Sequence, residues 1–273
     1  MFSLYFLRID NGMRRFHLVE FEDFRWFPAA VRDGITDYLR FFLKTFDLYY
    51  PVVPLIKEVL DKCGTNQIIE IAAGGGGGIE KILSHLDKIS DGKTTVILTD
   101  FYPNHHAFKL LRERNNGRFS YIPEPVDASN VPEDLKGLRT LFSAFHHFDS
   151  KTAKAVLKDA AEKNSPIGVF DGAERKLRYI LGVIFSTLLF IFIIPLFTRP
   201  IKFSRFFYTY IIPLIPLFAL FDGVVSMLRM YTPEELLRLA NEAEPEKFVW
   251  KSGKLKHRLG TYVTYLIGYP KNL

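Results

Sequence analysis

The sequence predicts an α/β protein with a doubly wound, mostly parallel sheet and helices on both of its faces. Two observations lead there. Between residues 67 and 171, short β-rich runs alternate with amphipathic helical stretches, and repeated β-α units of this length close as a parallel sheet through right-handed crossovers. The first of those runs, Ile68-Ile69-Glu70-Ile71, passes through two alanines into five consecutive glycines, and a helical pattern starts directly after them.

Residues 1–64 read as an N-terminal helical cap. Val31, Ile35, Tyr38, Leu39, Phe42 and Phe46 recur at helical spacing between charged residues, with Pro28 to open the helix and Pro51 to close it. A second short helix is expected from Pro54 to about Lys62, ended by Gly64. The cap should lay its apolar face on the main domain; the alternative is membrane contact through Phe24, Trp26 and Phe27. Met1 to Arg15 has neither a basic n-region nor a small-residue cleavage site and does not read as a signal peptide.

Residues 65–175 and 230–273 then form the main domain. Strands are expected at 67–73, 94–99, 119–122, 138–143 and 167–170, with helices over 79–89, 104–115 and 151–163. Thr232-Pro233-Glu234-Glu235 should start a last helix, Thr232 being its N-cap and Pro233 in its first turn. Two closing strands follow near 247–251 and 261–267, with Gly253 between them.

Residues 176–229 interrupt this pattern. Tyr179 to Phe197 is 19 residues without a charge, a length at which a transmembrane helix becomes credible. Arg199, Lys202 and Arg205 follow, and a second uncharged run, Phe206 to Phe221, contains Pro213 and Pro216, expected to kink it. Because both flanks belong to one domain, the insert must return to the side it left. A spanning hairpin would carry the three basic residues across the bilayer, against the positive-inside bias. A shallow hairpin in the membrane surface is therefore expected, with depth left open; burial inside the protein or use in self-association are the other options.

Composition narrows the partners. The single Cys63 excludes an intramolecular disulfide and a cysteine-based zinc site, which suits a reducing compartment, and no metal is expected. The net charge of +6 comes without a dense Lys/Arg run or a nucleic-acid-reading motif, so anionic lipid is a better expectation than nucleic acid.

The glycines sit where a backbone must turn tightly and approach a ligand without Cβ interference. Asp100, at the end of the next strand, can take both ribose hydroxyls of an adenosine ligand. Asp127, after strand three, can accept from an adenine amino group. Together these segments resemble the class I S-adenosylmethionine-dependent methyltransferases, whose Rossmann-like domain opens with acidic-x-Gly-x-Gly-x-Gly. Glu70, Ala72, Gly74 and Gly76 match it, with Ala72 in place of the first glycine. The resemblance gives Asp100 the ribose and Asp127 the adenine, sets Phe101 and Ala128 against the ring, and implies an antiparallel C-terminal edge hairpin. Leu141 to Phe148, including Ser143, resembles the strand-four segment of quinone-biosynthesis-type members, which passes under the methionine part of the cofactor; Arg229 to Leu236 resembles their post-insert helix start. The resemblance covers about 65–175 and 225–268. A dinucleotide oxidoreductase shares the first two signals, but Gly-x-Gly-x-x-Gly fits poorly here.

The expected function is methyl transfer from S-adenosylmethionine to an apolar or lipid-like acceptor at a membrane surface, with the catalytic domain on the cytoplasmic side. A non-catalytic membrane-bound adapter of the same fold is the rival reading, as is a methyltransferase that homo-oligomerises through the insert. His147, Asp222 and Arg229 are expected to converge on the methyl group: His147 as a neutral general base, with Asp222 orienting either it or the acceptor. Asp222 and Arg229, seven residues apart, could instead be a structural ion pair closing the insert.

Overall fold

The computed structural model describes residues 13–24, 26–76, 78–90, 93–199 and 201–272; most of the N-terminal stretch read for a signal peptide lies outside them. Two helices, α1 (Ala29–Phe46) and α2 (Val53–Lys62), precede the alternating region. That region runs β1 (Gln67–Glu70), α3 (Ile79–Leu86), β2 (Thr95–Leu98), α4 (His105–Arg114), β3 (Phe119–Tyr121), β4 (Leu138–Phe142), α5 (Ser150–Glu162) and β5 (Ile167–Asp171). The insert contains α6 (Leu177–Phe190), α7 (Ile194–Phe197), α8 (Phe203–Phe206) and α9 (Leu214–Arg229); α10 (Pro233–Ala243), β6 (Phe248–Lys256) and β7 (Tyr262–Pro270) close the chain.

The seven strands lie in the order β3-β2-β1-β4-β5-β7-β6. The first five are parallel, and β7 runs antiparallel to both β5 and β6. The two faces divide the core by the period-2 rule. Ile68, Val96 and Leu138 pack against α2, α3 and α4, whereas Ile69, Leu141, Ile167 and Val169 pack against α5 and α10. Thr232 caps α10 in a complete capping box with Glu235, as its sequence position suggests.

The closing hairpin is longer than expected, and Gly253 lies inside β6 rather than between the strands. It is opposite Tyr265, whose hydroxyl would be 2.9 Å from a Cβ at this position. The glycine makes room for a ring. The turn falls later, at Gly260 with its φ of +81°.

The insert departs most from expectation. The 19-residue apolar run is not one helix: α6 ends at Phe190, and its 14 residues span about 21 Å, short of the ~30 Å hydrocarbon layer. No single described helix is long and apolar enough to cross a membrane; the segments Phe203–Ile211 and Leu214–Arg229 are bent by 80° against each other. Pro213 and Pro216 sit at that break, as N-cap and first-turn residue of α9, where a missing N–H costs nothing. The basic residues at the tip turn back onto the protein. Buried Arg205 pairs with Asp37 of α1, and Lys202 lies 3.6 Å from Asp33.

The apolar face of α1 also meets the insert rather than the sheet. Phe27, Val31 and Ile35 form a core with Ile191, Ile215 and Ala219, and a Cβ on Gly34 would lie 2.2 Å from Ile215 Cδ1. While α2 packs on the sheet, helix α1 and the insert are thus one packed helical layer. Its base is closed by Arg175, just before the insert, which donates to Met230 O just after it (2.7 Å), to both carboxylate oxygens of Glu235 and to Met13 O.

Next to it, buried Glu174 pairs with Lys254, Lys176 and Arg178. Burial alone would raise its pKa, but these three cations outweigh it and hold the carboxyl at about 2. A carboxylate depressed in the folded state stabilises it above the unfolded pKa, near 4.5, and loses that contribution as pH falls toward 2. Glu174→Gln should therefore destabilise the protein at pH 6 by on the order of 3 kcal/mol. The gap to wild type should narrow at pH 3.5 in urea titrations; a constant gap would show that the pair does not carry this term.

Candidate cofactor and acceptor cleft

At the carboxyl ends of the parallel strands lies a cleft of about 740 Å³, within the usual range for small-molecule sites. Three loops form its floor: the glycine loop after β1, the Asp100–His106 segment after β2 and the Ser143–Phe148 segment after β4. Helix α1 forms its roof through Arg32, Thr36, Leu39, Arg40 and Leu43.

The glycine loop is fixed by backbone geometry. Ala72, Gly74 and Gly76 have φ of +53°, +53° and +67°. Ala72 occupies the place of the motif's first glycine and takes the left-handed conformation anyway, at a cost of roughly 1–2 kcal/mol. The roof makes a second demand, since a Cβ on Gly75 would be 3.0 Å from Thr36 Cγ2. Asp100 holds the loop from the neighbouring strand end: Oδ2 accepts from Gly74 N and Oδ1 from Tyr102 N, both at 2.8 Å. A carboxylate has about four lone-pair positions, so Asp100 keeps acceptor capacity for a ligand hydroxyl at the cleft. Burial raises the Asp100 pKa, opposed by the amides of Gly74, Tyr102 and Phe101.

Glu70, at the end of β1, is buried on the cleft wall and accepts a hydrogen bond from Thr140 Oγ1. Burial pushes its carboxyl up to about 8, with the threonine bond opposing. Ser143, also at positive φ, shares a hydrogen bond with the buried Tyr49 hydroxyl.

Of the residues expected to bind cofactor, Glu70, Ala72, Gly74, Asp100 and Ser143 share this cleft. Gly76 stands behind the loop, where a Cβ would meet Leu111 Cδ1 at 2.3 Å. Phe101 is outside the cleft wall, with its ring edge-on to Tyr102. Asp127 is exposed and accepts from the amide and hydroxyl of Ser129, and Ala128 is buried in the core under β4. The adenine contacts given to these three by resemblance are therefore not assembled on the cleft wall.

The expected catalytic trio is corrected in more detail. His147 lines the cleft, but it is held as a cation rather than a neutral base. Burial would lower its pKa, yet Glu20, Asp23 and Glu22 outweigh that and raise it to about 9; Nδ1 is 3.0 Å from Asp23 Oδ1 and Nε2 is 3.7 Å from Glu20 Oε2. At neutral pH such an imidazolium has no lone pair to take a proton. Asp222 does not orient it: the Asp222 carboxylate caps the short turn Phe21–Asp23, accepting from Phe21 N (2.8 Å) and Glu22 N (3.3 Å). Nor does Asp222 pair with Arg229, which instead reaches Asp23 (2.8 Å), Glu20 (3.2 Å) and the carbonyl of His147.

What the sequence reading missed is segment 13–24, which brings Glu20, Glu22 and Asp23 to this end of the cleft. Arg15 fastens it, donating to Arg229 O and Phe148 O and stacking over Tyr231 at 3.8 Å. Nothing in its composition marks it as part of a site, because its partners lie more than a hundred residues away.

No protein-family model matches the chain, and no curated protein matches it by sequence. Solved structures do match. One is the plantazolicin methyltransferase BpumL in complex with SAH, with a TM-score of 0.55 and 13% identity over 90% of this chain and 93% of that one. A second structure of that enzyme, with a monoazolic desmethylPZN analogue and SAH, gives 0.50 and 14% over 88% of each chain. An O-methyltransferase family protein from Burkholderia thailandensis follows at 0.46 and 16%, over 92% of this chain and 58% of that one. The fold is that of the class I methyltransferases: a Rossmann-like, mostly parallel sheet with an antiparallel C-terminal pair. This order also separates it from the dinucleotide-binding order 3-2-1-4-5-6, since β7 enters between β5 and β6.

The loop geometry gives a graded stability test. Gly74→Ala meets open space and bears only the positive-φ penalty, about 1–2 kcal/mol. Gly76→Ala bears the same penalty plus a clash with Leu111, so it should cost about 1–3 kcal/mol more. Equal losses in urea unfolding would mean that Leu111 yields freely.

Proposed function

We propose that this protein transfers a methyl group from S-adenosylmethionine to an apolar acceptor at a membrane surface. The observation that carries the cofactor assignment is the Asp100–glycine-loop unit, held by backbone amides with acceptor capacity to spare, at the strand ends of a methyltransferase fold. The residues fit an adenosyl ligand: Asp100 would hold the ribose, and the open backbone at Gly74 would lie against the methionine portion. Ser143 and Glu70 border the same space. Bound there, the cofactor supplies an electrophilic methyl on a sulfonium. The chain's part is to hold the acceptor in line with it, which is proximity catalysis; with His147 cationic, no proton acceptor is assigned. The resemblance of Leu141 to Phe148 to quinone-biosynthesis-type enzymes supports an apolar acceptor, as does Leu39 on the cleft roof.

Calorimetry with S-adenosylhomocysteine tests this. Binding in the micromolar range, about −8 kcal/mol, is expected, and Asp100→Ala should weaken it at least about tenfold by removing a charged acceptor. Folded protein that binds neither S-adenosyl ligand would refute the assignment and favour the adapter reading.

The membrane part rests on a different observation. Most of the exposed large apolar side chains lie between Leu177 and Phe221, including Phe185 at 70% and Phe203 at 82% exposure. Patches of this density mark interaction surfaces. Without a helix that crosses, and with the tip turned back onto α1, the surface suits shallow burial in one leaflet. Sidedness follows only from the reducing compartment suggested by Cys63, so the cytoplasmic leaflet is proposed. Intact protein should float with vesicles containing anionic phospholipid, and the double variant Phe185→Asp/Phe203→Asp should stay largely behind. Wild type that remains in solution as a dimer, with no vesicle binding, would assign the face to self-association instead.

A further inference from the structure

Methyl transfer leaves one cluster beside the cleft unused. Glu20, His146 and His147 each place one ligand-capable atom within 4.8 Å of the others. Glu20 and His146 are buried, at 1% and 3% exposure, and His147 stands on the cleft wall. The internal hydrogen bonds leave a particular set of atoms available. His146 Nδ1 is 2.9 Å from Asp171 Oδ1, and His147 Nδ1 is 3.0 Å from Asp23 Oδ1. In both rings Nε2 is thus the nitrogen left to face the cluster. Glu20 Oε1 is taken by Ser226 Oγ at 3.0 Å and Arg229 at 3.2 Å. Glu20 Oε2 is buried without a hydrogen-bond partner, 3.7 Å from His147 Nε2.

A buried carboxylate oxygen with no hydrogen bond is costly, and here its nearest partner is the His147 ring at 3.7 Å, with a His146 nitrogen in the same cluster. Each imidazole is backed by its own carboxylate, the arrangement in which metal-ligating histidines are usually held. The carboxylates nearest the cluster share few cations: Glu20 and Asp23 both lean on Arg229 and the His147 ring, and Asp171 on His146. We propose that Glu20 Oε2, His146 Nε2 and His147 Nε2 bind one divalent transition-metal ion, which displaces the His147 Nε2 proton to solvent, with Asp171 and Asp23 orienting the two rings. Two nitrogens and one oxygen suit zinc, cobalt or ferrous iron better than calcium or magnesium. Ligands about 2.1 Å from a tetrahedral ion lie about 3.4 Å apart, so side-chain rotation of Glu20 and His147 completes the shell. Since His147 borders the cleft, an ion here would stand at its acceptor end. The site does not depend on the chain being a methyltransferase.

Cobalt is the probe. Untagged, chelator-stripped protein should take up one equivalent of Co²⁺ with the visible absorption of a low-coordinate nitrogen–oxygen site, and Zn²⁺ should abolish it. Glu20→Gln and His146→Gln should each weaken binding at least tenfold, and Asp171→Asn by about ten- to a hundredfold. Should a variant not fold, the wild-type Co²⁺ protein still decides: its proton NMR spectrum should show two exchangeable, hyperfine-shifted imidazole N–H signals. Folded wild type without cobalt absorption would overturn the proposal, as would variants that bind Co²⁺ as tightly as wild type. Calorimetry with S-adenosylhomocysteine on the same samples reports separately on the cofactor assignment.

Discussion

The guanidinium of Arg175 closes a problem created by the chain's topology. A long apolar excursion leaves the sheet after β5 and must re-enter it before α10, without pulling apart the two elements it joins. Arg175 sits at the exit, grips the carbonyl at the return point and shares the carboxylate of Glu235, the same side chain that completes the α10 capping box. It also takes Met13 O from the N-terminal segment. Three separate stretches are thereby registered at one residue. Removing it would leave buried acceptors unsatisfied and the Glu235 carboxylate without its cation, the costly half of a buried ion pair.

Once that base is closed, the helical layer above it organises the cleft. Charge at the His147 end of the cleft is set by segment 13–24, whose acids would repel one another if Arg229 and the His147 ring did not lie among them. The elevated pKa of Glu22, about 7, reflects burial first and the neighbouring carboxylates Glu20, Asp222 and Asp23 as well, with His147 opposing. Arg229, expected from sequence to serve either chemistry or a pair with Asp222, keeps this end of the cleft electrostatically tolerable.

The alternating strands and helices were legible because each β-α unit carries its own local signal: apolar runs of strand length, glycines at the ligand loop, and Thr232 with Glu235 three residues on. The place of Asp100 at the cleft was legible for the same reason, being tied to the end of a strand. Asp127 was read from its place after strand three, and Phe101 and Ala128 from family pattern alone; the local backbone here sends them to the surface, to Tyr102 and into the core. The insert was read correctly in composition and wrongly in continuity, because hydropathy counts residues and not hydrogen bonds: nothing apolar about residues 190–194 reveals that α6 stops there. Glu20, His146 and Asp171 could not be associated from sequence, being brought together by tertiary packing over more than a hundred residues.

Helix α1 has two faces with different employers. Val31 and Ile35 are buried in the insert's core, and Asp33 and Asp37 take its basic tip, while Arg32, Thr36 and Arg40 of the same helix form the cleft's roof. A rigid rod of this kind acts as a lever. Any displacement of the insert, whether by lipid or by another protein, must be transmitted along α1 to the roof, with Thr36 resting on the glycine loop as the point of contact. The apolar insert is consequently part of the pocket's enclosure, and excising it would leave α1 without the core it packs on.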